Sequence, residues 1–178
     1  APLGLKVLGF VNAGTLSEIN ENHKKDRYPN SEEEKLSKTH IRLAKAEDAL
    51  SLVELNDKFN GVGRSPQEVK QSLLNAKELV ALALIDEAPV GFGCAQYFNS
   101  FCYSDPYGEI TELYVDYDAR GRNIGILIIE FLEERLIEIG VRNIKILTGQ
   151  SNIRAIKTYK KADYIQEDDL IFQKLLRE

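Results

Sequence analysis

Arg120-Gly121-Arg122-Asn123-Ile124-Gly125-Ile126 joins a strand to an apolar helix, and this junction decides the fold. Ahead of it, Glu109-Ile110-Thr111-Glu112-Leu113-Tyr114-Val115 carries the branched and aromatic residues of a strand. Behind it, Ile124–Ile139 is a long helix ended by Gly140. Its first half is apolar nearly all round, which marks a buried helix. A helix that opens on such a loop is an anion site. Its first N–H groups point outward, the helix dipole favours negative charge, and glycine lets a ligand approach the backbone. Arg120 and Arg122 can add charge-assisted hydrogen bonds. Taken alone, the same stretch fits a plain strand–helix turn with two solvated arginines.

Working outward, the pattern is regular from His40 to the C-terminus. Ile41–Ala44 reads as a strand and Glu47–Phe59 as a helix, broken by Asn60-Gly61-Val62-Gly63. Ser65-Pro66 starts a second helix, with Glu68 three residues after the serine cap. Leu79–Ile85 and Val90–Phe98 form an antiparallel hairpin about the turn Asp86–Pro89. Asn143–Leu147 is a further strand and Asn152–Lys161 a helix, and Tyr164–Gln166 and Leu170–Lys174 are strand-like. This order implies one mixed α/β domain over residues 39–178, with a mostly antiparallel central sheet and helices on both faces. Residues 1–38 differ: a short apolar run, Leu3–Val11, turns polar through Ser17–Ser37 and reads as an N-terminal extension or arm.

Composition removes several function classes. The net charge of −5 argues against a broad nucleic-acid surface; it would attract a cationic small molecule, and on charge alone a plain acidic soluble protein is the preferred reading. No apolar stretch reaches the length of a membrane helix, and the N-terminal run lacks the form of a signal peptide. Cys94 and Cys102 are the only cysteines, too few for a disulfide framework, so a cytoplasmic protein is expected. His23 and His40 stand in no ligand motif, and no metal site is expected.

A second constellation is Asn152-Ile153-Arg154-Ala155-Ile156-Lys157-Thr158-Tyr159, where Asn152 is a good N-cap and Ala155, Ile156 and Tyr159 share a helical face. In order and spacing the two constellations resemble the GNAT superfamily of N-acetyltransferases. Its cofactor motif is (Gln/Arg)-x-x-Gly-x-(Gly/Ala). Arg120 fills the first position and Gly125 the last, while Asn123 stands where glycine is usual. The resemblance covers roughly residues 40–174. It implies that the amides of Arg120, Gly121, Arg122, Asn123, Ile124, Gly125 and Ile126 hold the pyrophosphate of acetyl-CoA. It further implies that Leu113, Tyr114 and Val115 offer backbone groups to the pantetheine arm, which lies in a splay between two strands. Asn152 then contacts that arm, and the Tyr159 hydroxyl lies near the thioester sulfur as a general acid. Asp163 departs from the family's glycine just past the last helix.

Acetyl transfer needs a base for the acceptor amine. The strand before the loop supplies Glu109 and Glu112. With a period of two, Glu112 and Tyr114 share one face and Glu109, Thr111 and Leu113 the other, absent a bulge. By the resemblance, Glu109 matches the base of histone-type members and Glu112 the acceptor-facing glutamate of small-molecule members. Glu112 is placed first, with deprotonation through water also open. The Phe59–Pro66 connection and the Asn99–Gly108 loop, with Phe101, Tyr103, Asp105 and Tyr107, would shape the acceptor side. The expected function is transfer of an acetyl group to a primary amine of a small cationic molecule. A protein or peptide N-acetyltransferase and a non-catalytic acyl-CoA-binding module are the alternatives, and a homodimer is possible.

Overall fold

The structure, a computed structural model, describes residues 38–75 and 78–176. Apart from Lys38, the N-terminal extension lies outside the described residues. The elements follow as β1 (Thr39–Leu43), α1 (Ala49–Phe59), α2 (Pro66–Asn75), β2 (Glu78–Ile85), β3 (Ala88–Phe98), β4 (Tyr107–Val115), α3 (Ile124–Glu138), β5 (Asn143–Ile146) and α4 (Ile153–Lys161). The five strands lie in sequence order, antiparallel from β1 to β4, with β5 parallel to β4.

Local chemistry sets the boundaries. Ser65 and Glu68 form the reciprocal cap expected at the start of α2: the Ser65 amide donates to Glu68 Oε2 at 2.8 Å, and the Glu68 amide to Ser65 Oγ at 3.3 Å. Asp86 and Glu87 both take left-handed backbone (φ 48° and 67°), which closes the β2–β3 hairpin with the twist its strands need.

The sheet carries a layer on each face. Ile124, Ile128, Ile129, Leu132 and Leu136 of α3 are buried against Ala81, Ala83, Ala95 and Ile110. Each of these large side chains contributes roughly 2 kcal/mol on burial. A Cβ added at Gly93 would stand 2.5 Å from Ile128 Cγ2, so glycine there lets α3 lie close on the sheet. On the opposite face, Leu52 and Leu55 of α1 pack with Leu82, Leu84 and Phe92. No helix among the described residues is long and apolar enough to cross a membrane.

Two expectations are corrected. The pieces Tyr164–Gln166 and Leu170–Lys174 form no strand, and residues 164–176 have no regular structure. Strand character in a sequence requires a pairing edge, and here Ile165, Leu170, Ile171 and Phe172 remain exposed. The second correction concerns β4. Its register against β3 slips by one residue, with Cys94 opposite Glu112 and Ala95 opposite Ile110. Thr111 is the extra residue of a β-bulge. Ile110 and Leu113 consequently face the same α3-side core. Glu109 therefore shares the α1 side with Glu112 and Tyr114 rather than standing opposite them.

Candidate active site

The loop at the head of α3 has the backbone an anion site needs. Asn123 is the N-cap and adopts left-handed backbone (φ 59°, ψ 14°). Gly121 is left-handed too, at φ 82°. Asparagine tolerates this region better than most residues, so the loop turns without the usual glycine. The Ile126 and Leu127 amides both donate to the Asn123 carbonyl, at 2.9 and 3.1 Å. The Arg120 amide donates to the Tyr117 carbonyl at 3.3 Å, so of the expected Arg120–Ile126 amides those of Gly121 to Gly125 stay available to a ligand, and those of Arg120 and Ile126 do not. Arg120 is partly committed: its Nε donates to the Val115 carbonyl at 2.9 Å, and its guanidinium lies over the Tyr117 ring at 5.5 Å. It braces the loop against the end of β4 and takes one carbonyl expected to be free for the pantetheine arm.

Beside β4, pairing stops where β5 ends at Ile146. It runs from Tyr107–Asn143 to Ile110–Ile146. From Thr111 to Val115, β4 keeps β3 on one side and has no strand on the other among the described residues. Gly125 stands at this opening, where an added Cβ would meet Thr158 Cγ2 at 3.5 Å, Leu113 Cδ2 at 3.8 Å and Val115 Cγ2 at 4.0 Å. Loop, strand and α4 therefore converge on one place.

In α4, Asn152 caps the helix as expected: its Oδ1 accepts from the Ala155 amide at 3.2 Å. Half-buried Tyr159 packs against the same core cluster as Leu113 and Val115. Burial raises its pKa, so the phenol keeps its proton. Past the helix, Asp163 takes the left-handed position of the family's glycine (φ 62°), and the Tyr164 amide closes back on the Tyr159 carbonyl at 3.0 Å.

The opposite face of β4 is acidic. Glu78, Gln96 and Glu109 are register partners across β2, β3 and β4, and Val80, Cys94 and Glu112 form the next row. Val80, Cys94 and Tyr114 belong to the α1-side cluster, which assigns both rows to that face. Gln96 Nε2 donates to Glu78 Oε1 at 3.3 Å. The Thr111 hydroxyl gives its one proton to Glu112 and lies 3.4 Å from the Cys94 carbonyl. Glu109 has Lys145 as its register neighbour on β5, and that ammonium lies 3.6 Å from Asp169. Glu78, Cys94 and Glu112 bring their ligand atoms within 4.8 Å of one another, the one such metal-competent group among the described residues. Burial pushes the Cys94 thiol well above its usual pKa, with Glu78 and Glu112 adding to the rise. Sequence reading missed Glu78, Cys94 and Gln96, because only strand register joins residues from three strands.

The acceptor-side segments divide. Phe59 packs edge-on to Phe92 (5.8 Å between centroids) and beside Tyr114 (5.7 Å), extending the same face. In the other loop, Tyr103 and Phe98 pack on Tyr107, at 5.0 and 5.9 Å, while Phe101 and Asp105 are exposed. A shallow cavity of about 250 Å³ beside Arg122 is lined by Asp116 and Asp118 together with Ile85, Ala88 and Val90. It borders the β2–β3 turn, away from the open edge, and its two aspartates make it a poor phosphate seat.

The model of the acetyltransferase (GNAT) family matches residues 48–164. The fold is similar to an aminoglycoside acetyltransferase from an uncultured soil metagenomic sample, solved with sisomicin (TM-score 0.70, 16% identity, 78% of this chain and 97% of that one). It is also similar to the aminoglycoside N-acetyltransferase AAC(6')-Iy in complex with CoA (0.69, 17%, 80% and 97%). A ribosomal-protein-alanine N-acetyltransferase from Brucella melitensis biovar Abortus 2308 follows (0.68, 17%, 78% and 100%). No curated protein sequence matches the chain.

Proposed function

The chain belongs to the acetyltransferase (GNAT) family, and on that premise we propose that it transfers the acetyl group of acetyl-CoA to a primary amine of a small cationic molecule. The observation that carries this reading is the convergence at Gly125. An anion-binding helix start opens there beside an unpaired strand edge, with a protonated tyrosine on one side of β4 and carboxylates on the other.

Acetyl-CoA supplies an acetyl group activated as a thioester. The residues here do the rest. The amides of Arg122–Gly125 and the α3 dipole hold the pyrophosphate. The free edge of β4 over Thr111–Tyr114 hydrogen-bonds the pantetheine arm as a missing strand would. Glu112 accepts a proton from the acceptor ammonium, directly or through water, and frees the nitrogen lone pair for attack on the carbonyl. As the carbon–sulfur bond breaks, the Tyr159 hydroxyl gives its proton to the departing sulfur, and the second proton shed by the new amide nitrogen restores the phenol through water. Glu109 is the second base candidate because it lies where β4 is still paired with β5, short of the open edge. A small cationic acceptor fits the acidic face better than a peptide selected by its sequence.

Calorimetric titration of acetyl-CoA tests the donor half. Wild type should bind, and Gly125→Glu should not, because a carboxylate at the convergence repels phosphate and fills the opening. An amine panel with thiol release as readout then tests transfer. Binding without thiol release for any amine would leave an acyl-CoA-binding module, and no binding would remove the proposal.

A further inference from the structure

Thr111 and Glu112 are neighbours in the chain, and in a regular strand their side chains would point to opposite faces of the sheet. Here they meet: the Thr111 hydroxyl donates to Glu112 Oε2. The bulge in β4 makes the contact possible. Cys94 stands opposite Glu112 and Ala95 opposite Ile110, so Thr111 has no partner on β3 and its side chain is re-aimed. The hydroxyl has one proton and two acceptors in reach, Glu112 and, at 3.4 Å, the Cys94 carbonyl. The carboxylate takes it, because hydrogen bonds to an ionised group are the stronger kind.

The surroundings of Glu112 give this hydroxyl its weight. Glu78 of β2 and Cys94 of β3 each bring a ligand atom within 4.8 Å of the Glu112 carboxylate. Burial keeps the Cys94 thiol protonated, and the Glu78 carboxylate repels a second negative charge. Tyr114 shares the face, and α1 and α2 pack Leu52, Leu55, Val69 and Leu73 against it, all apolar. No ion pair among the described residues reaches Glu112. Thr111 therefore supplies the one hydrogen bond that the described side chains give this carboxylate. It occupies Oε2 and leaves Oε1 free.

Resting on the acetyltransferase reading, we propose that Thr111 is a positioning residue for the base: its hydroxyl holds Glu112 by one oxygen, favours the ionised carboxylate and leaves the other oxygen to take the proton of the acceptor ammonium. Thr111 touches no reacting atom and takes no proton, and its O–H bond stays intact through the reaction. Its effect falls on kcat, through Glu112.

The test compares Thr111→Val, which removes the hydroxyl and keeps a branched shape suited to a strand, with Thr111→Ser, which keeps the hydroxyl. Folding is checked by circular dichroism. Thr111→Val should lower kcat about tenfold and leave the amine KM near wild type. The low-pH limb of its pH–rate profile should move to higher pH, because a carboxylate without its donor holds a proton longer. Thr111→Ser should recover most of both. In a Glu112→Gln background, Thr111→Val should add no further loss. A valine variant with wild-type kcat, a serine variant as poor as valine, or an equal loss in both backgrounds overturns the assignment. Carbon-13 NMR of glutamate carboxyl groups gives a readout without turnover, the Glu112 resonance being the one lost in Glu112→Gln. That resonance should titrate at higher pH in Thr111→Val than in wild type and return in Thr111→Ser. Such a shift in a protein that acetylates no amine upholds the hold on Glu112 and removes the transferase reading. A resonance that titrates unchanged in Thr111→Val overturns the proposal whatever the turnover.

Discussion

Glu109 and Glu112, three residues apart, stand on the same face of β4 because Thr111 is bulged out between them. Both candidate bases consequently face the acceptor side, and their places on the strand separate them. Glu109 lies where β4 is still paired with β5, whereas Glu112 lies beyond that pairing and meets Glu78 and Cys94. Glu112→Gln should lower kcat/KM about a hundredfold and remove the low-pH limb of the pH–rate profile. Glu109→Gln should keep that limb with a smaller loss. The reverse pattern would transfer the role to Glu109.

Tyr159 is kept protonated by burial. Tyr159→Phe should reduce kcat about a hundredfold while donor affinity, measured by calorimetry, stays near wild type. In wild type, ionisation of this phenol should cause no fall in rate below about pH 10. A Tyr159→Phe enzyme of undiminished kcat would remove the general-acid role.

The left-handed backbone of Asn123 makes a stability prediction at the donor loop. Asn123→Gly should be neutral or slightly stabilising, and Asn123→Ala should cost about 1 kcal/mol in denaturant unfolding, because its Cβ is strained in this region. If alanine proves neutral, the loop does not hold this conformation in solution.

Arg42 and Asp48 tie β1 to the start of α1 through two hydrogen bonds, at 2.6 and 2.8 Å. The Arg42 hydrogen bond holds the Asp48 carboxyl below its usual pKa against the opposing effect of burial. The folded value lies below the unfolded one. The stabilisation is thus fully present above about pH 5 and is lost as pH falls through the lowered folded value. Asp48→Asn should cost about 1–2 kcal/mol at neutral pH and flatten the acid side of the Tm–pH curve. An unchanged acid slope would show the pair to be idle.

The elements legible in the sequence were those with local causes. The Ser65–Glu68 cap, the Asp86–Pro89 turn, the Asn152 cap and the apolar run of α3 each carry their instruction within a few residues. The donor loop was legible for the same reason, being one contiguous stretch with its glycines and arginines in order. The pieces after Tyr164 show the limit: apolar alternation there was read as strand, but strand is a property of a pair, and no partner edge takes them up.

By itself, then, the sequence determined a mixed α/β chain with an anion-binding loop, because propensity, capping and dipole act over one or two turns. Tertiary structure decided the face of Glu109, the commitment of Arg120 to the Val115 carbonyl and the meeting of Glu78, Cys94 and Glu112. A bulge inverts every side chain on one side of it, and register brings together residues from separate strands; both depend on pairing geometry that no single strand encodes.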